Sequence, residues 1–184
     1  MIKLRQFKTE DLALFWETAY SDPQAEWTKW NEPYFKDVLP KKDDFINNIG
    51  PERFVNNMNR RVILYDGQII GSVSAYFEDG QLKSWLEVGI VIYQQATWQQ
   101  GIGTRALGMW LEILFEQYDS LPHIGLTTWS GNKAMMRVSE KLGLKLEGQI
   151  RQVRWWQGQY WDSMKYGILR NEMTPISPSG KIEL

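Results

Sequence analysis

The chain contains no cysteine and one histidine among its 184 residues. The absence of cysteine excludes disulfide bonds, thiolate metal sites and a cysteine nucleophile, and it fits the reducing conditions of the cytoplasm. The histidine, His123, follows a proline in a predicted loop, so we expect it to be exposed and assign it no role. We predict no metal site.

Long apolar runs and an excess of one charge are missing as well. No stretch approaches the roughly 18 consecutive apolar residues of a membrane-spanning helix, and the first residues lack the apolar core of a secretion signal. The formal net charge is −1, with acidic and basic residues interspersed, which provides no basic surface for nucleic acid or for a membrane. We therefore expect a cytoplasmic protein that binds neither.

Aromatic residues, in contrast, are abundant, at 14% of the chain with ten tryptophans. An irregular stretch between two predicted helices could form a lip that contacts a substrate, or could be a loop packed down by its own aromatic residues; these residues are Trp27, Trp30, Tyr34 and Phe35. The chain is long enough for one domain with a substantial core, and it has no repeat or linker. We predict a single domain over residues 1–172 and a loose tail over residues 173–184.

A strand, a glycine turn and a helix start follow one another in the centre of the chain. Residues 85–93 are rich in β-branched and apolar residues, which is typical of a buried strand. Gly101 and Gly103 come next, and apolar residues then recur at helical spacing from Ala106. Backbone N–H groups and the helix dipole at such a turn form an anion site, to which Thr104 could add a hydroxyl donor. A plain strand-to-helix turn is the alternative.

Turn signals elsewhere predict antiparallel strands. Asp66-Gly67 joins two strands in a hairpin, and Asp79-Gly80 marks a second reversal into the strand before the glycines. The predicted order is β-α-α-β-β-β-α-β-α-β-β. This order argues against a nucleotide-dependent oxidoreductase, although residues 101–106 fit Gly-x-Gly-x-x-Ala. In such enzymes this fingerprint lies in the first unit of an alternating β-α-β fold, and an acidic residue follows the second strand. Here antiparallel strands precede the glycines, and the strand after the helix carries no acid.

Polar residues predict where three of the helices begin. Thr9, Asp43 and Asn132 each precede a helical pattern and are suited to cap its first turn. The helix after Asp43 should end near Gly50-Pro51. The helix after Asn132 should turn four apolar residues inward, namely Ala134, Met135, Val138 and Leu142.

Three sequence blocks, in this order, resemble GNAT-superfamily N-acetyltransferases, and among these the ribosomal-protein acetyltransferase (RimJ/RimL-like) branch. They are Glu87-Val-Gly-Ile-Val-Ile with Trp98-Gln-Gln-Gly-Ile-Gly-Thr-Arg-Ala-Leu, then Asn132-Lys-Ala-Met-Met-Arg-Val-Ser-Glu-Lys-Leu-Gly-Leu, and then residues 146–172. The resemblance implies an α+β fold, with a mixed, mostly antiparallel central sheet and helices on both faces. It also implies transfer of the acetyl group of acetyl-CoA to a primary amine, carried by a small molecule or a protein N-terminus, and it leaves a homodimer open.

The resemblance further implies where acetyl-CoA binds. The pyrophosphate would lie on the glycine turn, at Gln99, Gln100, Gly101, Ile102, Gly103, Thr104 and Arg105. The pantetheine arm would enter a gap between two strands and pair with the strand edge at Ile90, Val91 and Ile92. Asn132 would either hydrogen-bond the arm or only cap its helix.

Two positions depart from the family pattern. Trp98 stands where the superfamily usually has glutamine or arginine, but phosphate binding depends mainly on backbone N–H groups. Ser139 stands where many members have a tyrosine that protonates the departing thiolate. A serine hydroxyl is a much weaker acid than a phenol, so either Ser139 or water would supply that proton. The missing tyrosine also motivates a second hypothesis, a non-catalytic module of the same fold that binds an acyl-CoA or a peptide.

Glu87 is the leading candidate for the general base that takes a proton from the amine, directly or through a water. It lies on the strand that would line the thioester, and no histidine or cysteine competes near that strand. A solvated or ion-paired strand carboxylate is the alternative interpretation. Glu78, Asp79 and Asp162 are weaker candidates, and Asp162 is suited to anchoring a hairpin.

Overall fold

The computed structural model describes residues 1–174; residues 175–184, most of the predicted tail, lie outside the described residues. Strands of the described part form one seven-stranded sheet in the spatial order β1-β2-β3-β4-β5-β7-β6. The strands are β1 Ile2–Arg5, β2 Arg60–Tyr65, β3 Gln68–Phe77, β4 Leu86–Ile92, β5 His123–Trp129, β6 Lys145–Trp156 and β7 Gln159–Leu169. The α-helices are α1 Leu12–Ala19, α2 Lys42–Asp44, α3 Gly50–Arg53, α4 Ile102–Gln117 and α5 Lys133–Lys141.

The sheet is mixed and mostly antiparallel, as the resemblance implies. β4 and β5 run parallel, and the other neighbouring strands run antiparallel. The predicted hairpin between β2 and β3 is confirmed, with φ of 49° at Asp66 and 83° at Gly67. A two-residue hairpin turn requires this left-handed conformation at both positions, and Asp-Gly adopts it readily.

Two hydrophobic clusters cover the two faces of the sheet. α4 and α5 pack on one face, where Trp110 is fully buried. α1 and the helical residues 42–53 pack on the other face around Phe15 and Phe45. Val62 and Ile63 are adjacent in β2 yet belong to opposite clusters, because successive strand residues point to opposite faces. The predicted helices on both faces are therefore confirmed. No helix among the described residues is long and apolar enough to cross a membrane.

The first helical turn is capped by an acid rather than by Thr9, so that prediction was wrong. Lys8 precedes a short 3-10 turn, Thr9–Asp11, that leads into α1. The Asp11 carboxylate accepts the Lys8 backbone N–H at 2.8 Å and pairs with the Arg5 guanidinium at 2.6 Å. A threonine hydroxyl cannot form such a charge-assisted pair.

The prediction for Asp43 and for the end of its helix was also wrong. α2 begins at Lys42 and continues through a π-helical turn, Phe45–Ile49, into α3. Pro51 lies in α3 directly after the π-helical turn, and the helix continues past it to Arg53. Gly50 allows close packing on α1, since a β-carbon there would lie 2.8 Å from the Leu12 Cδ2 atom.

The start of α5 confirms one prediction and corrects another. The Asn132 Oδ1 atom accepts the Met135 backbone N–H at 3.0 Å, as a helix cap should. Met135, Val138 and Leu142 pack against the core. Ala134, in contrast, is exposed, because it is rotated by more than a quarter turn from Met135 on the helix.

Candidate active site

β4 and β5 separate after two residue pairs. Their parallel register consists of Leu86 with Ile124 and of Glu87 with Gly125, whereas β4 continues to Ile92 and β5 to Trp129. Beyond these pairs, within the described residues, each strand is paired only on its other side, β4 with β3 and β5 with β7. We call the opening between residues 88–92 and residues 126–129 the β4–β5 seam. An extended, amide-rich molecule fits such an unpaired strand edge.

The glycine turn lies between β4 and α4, past the end of the seam. α4 begins after Gly101, whose φ of 75° is left-handed. The N–H groups of Ile102, Gly103 and Thr104 have no acceptor within the helix, as at any helix start. Apart from its two neighbours and the backbone of α4 itself, nothing lies within 4 Å of a β-carbon built on Gly103, so space is open for an anion beside this turn.

Side chains of the glycine turn tie it to the neighbouring backbone. The Trp98 indole N–H donates to the Ile92 carbonyl, at the end of β4, at 3.0 Å. The Gln100 side-chain amide donates to the Ala96 carbonyl at 2.9 Å. The backbone of Gln99 is left-handed, with a φ of 61°. Trp98 therefore has a structural role in this turn.

Glu87 lies in the last β4–β5 residue pair and is 1% exposed. Its Oε1 atom accepts the Trp85 indole N–H at 3.0 Å, and its Oε2 atom accepts the Thr127 hydroxyl at 2.7 Å. A β-carbon on Gly125 would lie 2.6 Å from Oε1, so the carboxylate occupies space that only glycine leaves free. Glu87 is therefore buried and held by two neutral donors, rather than solvated on the surface of its strand.

Tyr76, a neighbour of Glu87 in the sheet, lies near three negatively charged side chains. Tyr76 belongs to β3 and is the partner of Glu87 in the β3–β4 register. Burial, together with the negative charges of Glu87, Glu78 and Glu32, raises the pKa of Tyr76 to about 12. Burial also raises the pKa of Glu32. Tyr76 thus keeps its proton at neutral pH, and the register places it beside Glu87 in the sheet.

The four predicted lip residues occupy different environments. Trp27 is 7% exposed and packs edge-on against Tyr93, with 5.2 Å between ring centroids. Trp30 and Phe35 are 41% and 52% exposed, and Tyr34 is half-buried. The burial of Trp27 supports the packed-loop interpretation for this residue, whereas the other three can still be reached by a substrate.

One backbone carbonyl ties the lip to β5 and α5. The Trp30 carbonyl accepts the Trp129 indole N–H at 3.1 Å and the Asn132 side-chain N–H at 3.2 Å. The Arg154 guanidinium of β6 stacks over the Tyr34 ring at 4.9 Å from its centroid. The lip therefore contacts Asn132, the residue that the resemblance assigns to the pantetheine arm.

Asn132 and Ser139 have their polar groups engaged within or beside α5. Asn132 is the helix cap described above, and its contact with the pantetheine arm stays a prediction. Ser139 is fully buried, and its hydroxyl donates to the Met135 carbonyl at 3.1 Å. The proton of Ser139 is thus directed at the helix backbone, and its role as an acid stays a prediction that this contact does not favour.

Two of the three weaker candidates, Asp162 and Asp79, have structural contacts. Asp162 accepts the Gln152 backbone N–H at 2.8 Å, across the β6–β7 hairpin, which confirms its anchoring position. Asp79 accepts two backbone N–H groups of the turn before β4. The expectation that His123 is exposed was wrong, since it begins β5, its side chain is 23% exposed, and its ring pairs with Glu147 at 2.9 Å.

Sequence reasoning missed three neighbours of Glu87, namely Trp85, Tyr76 and Thr127. Trp85 lies two residues before Glu87 and on the same side of the chain, so strand alternation could have found it. Tyr76 and Thr127 belong to adjacent strands, and their proximity to Glu87 depends on the register between strands. A single sequence carries no local signal for that register.

Comparisons with known proteins agree with this architecture. A family model described as an acetyltransferase (GNAT) domain matches residues 2–145. YdaF of Bacillus subtilis (strain 168), which bears the provisional name of a ribosomal N-acetyltransferase, is 28% identical over 110 residues. That match covers 60% of this chain and spans only 58% of the length of YdaF.

Two solved structures share the fold. One is an acetyltransferase of the GNAT family from Bacillus anthracis, 21% identical, with a TM-score of 0.71 over 93% of this chain and 96% of that one. The other is spermidine N-acetyltransferase from Vibrio cholerae in complex with CoA and spermine, 18% identical, with a TM-score of 0.74 over 93% of this chain and 96% of that one.

The family match covers most of the chain, so the chain belongs to the GNAT acetyltransferase family. The fold agrees, because the central sheet has one parallel strand pair, which separates beside a glycine turn. The cosubstrate of that family is acetyl-CoA. The match to YdaF is a partial one, and the RimJ/RimL-like branch stays a prediction. The seam and the helix start fit this cosubstrate, because the first offers an unpaired strand edge to its amides and the second offers N–H groups to its phosphates.

Proposed function

We propose that this protein transfers the acetyl group of acetyl-CoA to a primary amine, on a small molecule or a protein N-terminus, by direct attack of that amine. The observation that carries the proposal is the position of Glu87. A buried carboxylate stands in the residue pair where β4 and β5 part, next to the opening that suits the pantetheine arm. Acetyl-CoA supplies the reactive thioester when it is bound.

The cosubstrate would be held mainly by backbone groups. Residues 99–105 would bind the pyrophosphate through N–H groups at the start of α4, helped by the helix dipole. Ile90, Val91 and Ile92 would pair with the amides of the arm along the free edge of β4. The Asn132 side-chain amide has two N–H groups; one donates to the Trp30 carbonyl at 3.2 Å, and the other would donate to the arm.

The attacking amine must lose its proton. An α-amino group titrates near about 8, whereas a lysine side chain titrates near about 10.4 and needs more help from a base. Glu87 would accept that proton. Its two hydrogen bonds fix the carboxylate in place. The thiolate would receive a proton from water or from Ser139, and the engagement of the Ser139 hydroxyl with Met135 favours water.

The acceptor would approach across the lip. Trp30 and Phe35 are exposed beside Tyr34, and Glu32 lies in the same segment. The Arg154 guanidinium already lies over Tyr34 and Phe35, at 4.9 and 5.1 Å from their ring centroids. The exposed Trp30 ring and the Glu32 carboxyl are therefore the groups that would attract a cationic amine before it is deprotonated. The neighbours of known activity include an enzyme whose name refers to spermidine, and YdaF is named for a ribosomal substrate. Both acceptor classes belong in the test.

Release of CoA measured with an amine panel tests the proposal. The panel pairs each short peptide with its N-terminally acetylated form and includes spermidine, lysine and an aminoglycoside. We expect CoA release with one class of free amine and none with the blocked peptide, because only a free amine can attack. Mass spectrometry of the acceptor should show one added acetyl group.

The second candidate is a non-catalytic module that binds an acyl-CoA or a peptide. The serine at position 139 favours it, since its hydroxyl is engaged with the helix backbone and is a poor acid. This candidate predicts that calorimetry detects binding of acetyl-CoA, while no amine of the panel releases CoA.

A further inference from the structure

We propose that Thr127 is the catalytic residue that receives the proton of the acceptor amine and passes its own proton to Glu87. The inference rests on the proposed acetyl transfer and deepens it, because it names the hydroxyl that lies between substrate and base.

The carboxylate of Glu87 is closed to direct contact. The residue is 1% exposed, and each of its carboxylate oxygens already accepts a hydrogen bond, from Trp85 at 3.0 Å and from Thr127 at 2.7 Å. On the β5 side the carboxylate reaches the position of a Gly125 β-carbon. Each oxygen keeps a second lone pair, but at 1% exposure an amine could reach it only if a neighbouring group moved aside.

Among Glu87 and its two hydrogen-bond donors, Thr127 is the residue that an amine in the β4–β5 seam can reach. It lies two residues beyond Gly125 in β5, where β5 no longer pairs with β4, and it is only partly buried. Its oxygen donates one hydrogen to Glu87 and keeps two lone pairs for a donor from the seam. The Trp85 indole cannot take this role, because its N–H donates and has no lone pair to accept a proton.

The chemistry balances through these two residues. The acceptor attacks as the free amine, after its ammonium proton has left by the same route to water. As the N–C bond to the acetyl group forms and the C–S bond breaks, the nitrogen gives up one further proton and the sulfur leaves with the electron pair. The Thr127 oxygen accepts the amine proton while its own proton passes to the Glu87 Oε2 atom. Glu87 then returns this proton through Thr127 to water, and water protonates the thiolate, so both side chains regain their starting state.

Several other ionisable side chains lie near Glu87 and Thr127, and they would contribute to the pH dependence of the reaction. They should therefore stay unchanged in every variant. Tyr76 of β3 is the register partner of Glu87, and Lys165 of β7 is the register partner of Thr127. Lys165 also lies 5.6 Å from the centroid of the Trp85 ring. Glu32 and Glu78 act on Tyr76 by their charge. The test therefore changes only Thr127 and Glu87.

The experiment compares four variants with the wild type, namely Thr127→Val, Thr127→Ser, Glu87→Gln and the double variant, using acetyl-CoA and the free amine of the panel that gives the fastest CoA release. Thr127→Val keeps the shape of the side chain and removes its hydroxyl, so kcat should fall by about 10²-fold, the lower end of a general-base contribution. Thr127→Ser keeps the hydroxyl and should stay within about tenfold of the wild type. The double variant Thr127→Val with Glu87→Gln should be no slower than Glu87→Gln alone, because a relay acts as a unit.

Calorimetry with acetyl-CoA provides a readout independent of turnover, and all variants should bind it with wild-type affinity. A Thr127→Val protein that turns over like the wild type, or losses that multiply in the double variant, would overturn the relay while acetyl transfer stands. A wild-type protein that releases no CoA with any amine of the panel would instead overturn the proposed function, and the relay with it.

Discussion

Glu87 and Gly125 face each other in the last residue pair of β4 and β5, and the Glu87 carboxylate fills the space that a side chain at position 125 would need. The glycine thereby allows a carboxylate to be buried at the point where the two strands part. A carboxylate in this position, held by Trp85 and Thr127, is suited to accept a proton from the seam.

Replacing this carboxylate by an amide should remove the base and keep the shape. We expect Glu87→Gln to lower kcat by roughly 10²–10⁴-fold without changing the affinity for acetyl-CoA, and to abolish the acidic limb of the kcat/KM profile. The assay belongs at about pH 6 to 7, because an α-amine near its pKa of about 8 is partly deprotonated unaided. Glu78→Gln, which changes an exposed acid near the same site, is the matched comparison. Wild-type turnover from Glu87→Gln would mean that Glu87 is structural.

The glycine turn should bind acetyl-CoA through its backbone. Gly103→Glu places a carboxylate in open space beside the N–H groups of α4, where it would occupy the phosphate position and repel the pyrophosphate. We expect calorimetry to detect no binding by this variant at a normal melting temperature. Gly103→Gln separates bulk from charge and Gly103→Ala should still bind. Unchanged affinity in the glutamate variant would remove the turn from the binding site.

The lip residues should separate into two groups. Trp30→Ala and Phe35→Ala should raise the KM of the acceptor and leave the KM of acetyl-CoA unchanged, because both side chains are exposed. Trp27→Ala should instead lower the free energy of unfolding by about 3 kcal/mol, since it removes a buried ring packed on Tyr93. Urea unfolding and initial rates measure the two effects. If the exposed variants also raise the KM of acetyl-CoA, they do not form an acceptor surface.

The ion pair at the start of α1 should make stability depend on pH in a defined direction. Burial acts to raise the pKa of Asp11, but hydrogen bonds from Arg5 and from the Lys8 N–H outweigh it and lower the pKa below its ordinary value of 3.8. Because the folded-state pKa is the lower one, the stabilisation is complete above the ordinary value and is lost as the pH falls through the folded-state value.

Asp11→Asn should therefore lower the free energy of unfolding at pH 7 by about 2 kcal/mol. The difference from the wild type should shrink in urea titrations below pH 3.8, for example at about pH 2.5, because the unfolded-state carboxyl is protonated there and the folded-state carboxyl gains its proton as the pH falls further. Glu10→Gln is the matched control, because Glu10 is exposed and its contact with Lys8 is 3.5 Å long, which is worth less than about 1 kcal/mol. Equal losses from Asp11→Asn at both pH values would contradict this account.

The sequence determined the features that depend on neighbouring residues. Asp66-Gly67 predicts a hairpin because both positions tolerate positive φ, and Gly101 followed by an apolar helical pattern predicts the start of α4. The three sequence blocks added the fold class and acetyl-CoA. Local signals gave wrong predictions at two places. Thr9 is predicted to cap the first helix, but Asp11 does so. Pro51 is predicted to end a helix, but it lies inside one.

Only the tertiary structure decided which groups meet around the candidate base. Thr127 reaches Glu87 across 40 residues of sequence, and Asn132 reaches the Trp30 carbonyl across 102. Such contacts depend on strand register and on where β4 and β5 part, and these follow from packing of the whole sheet rather than from the residues nearby. The same packing buries Trp27 and leaves Trp30 exposed, although the two lie in the same aromatic stretch and look alike in the sequence.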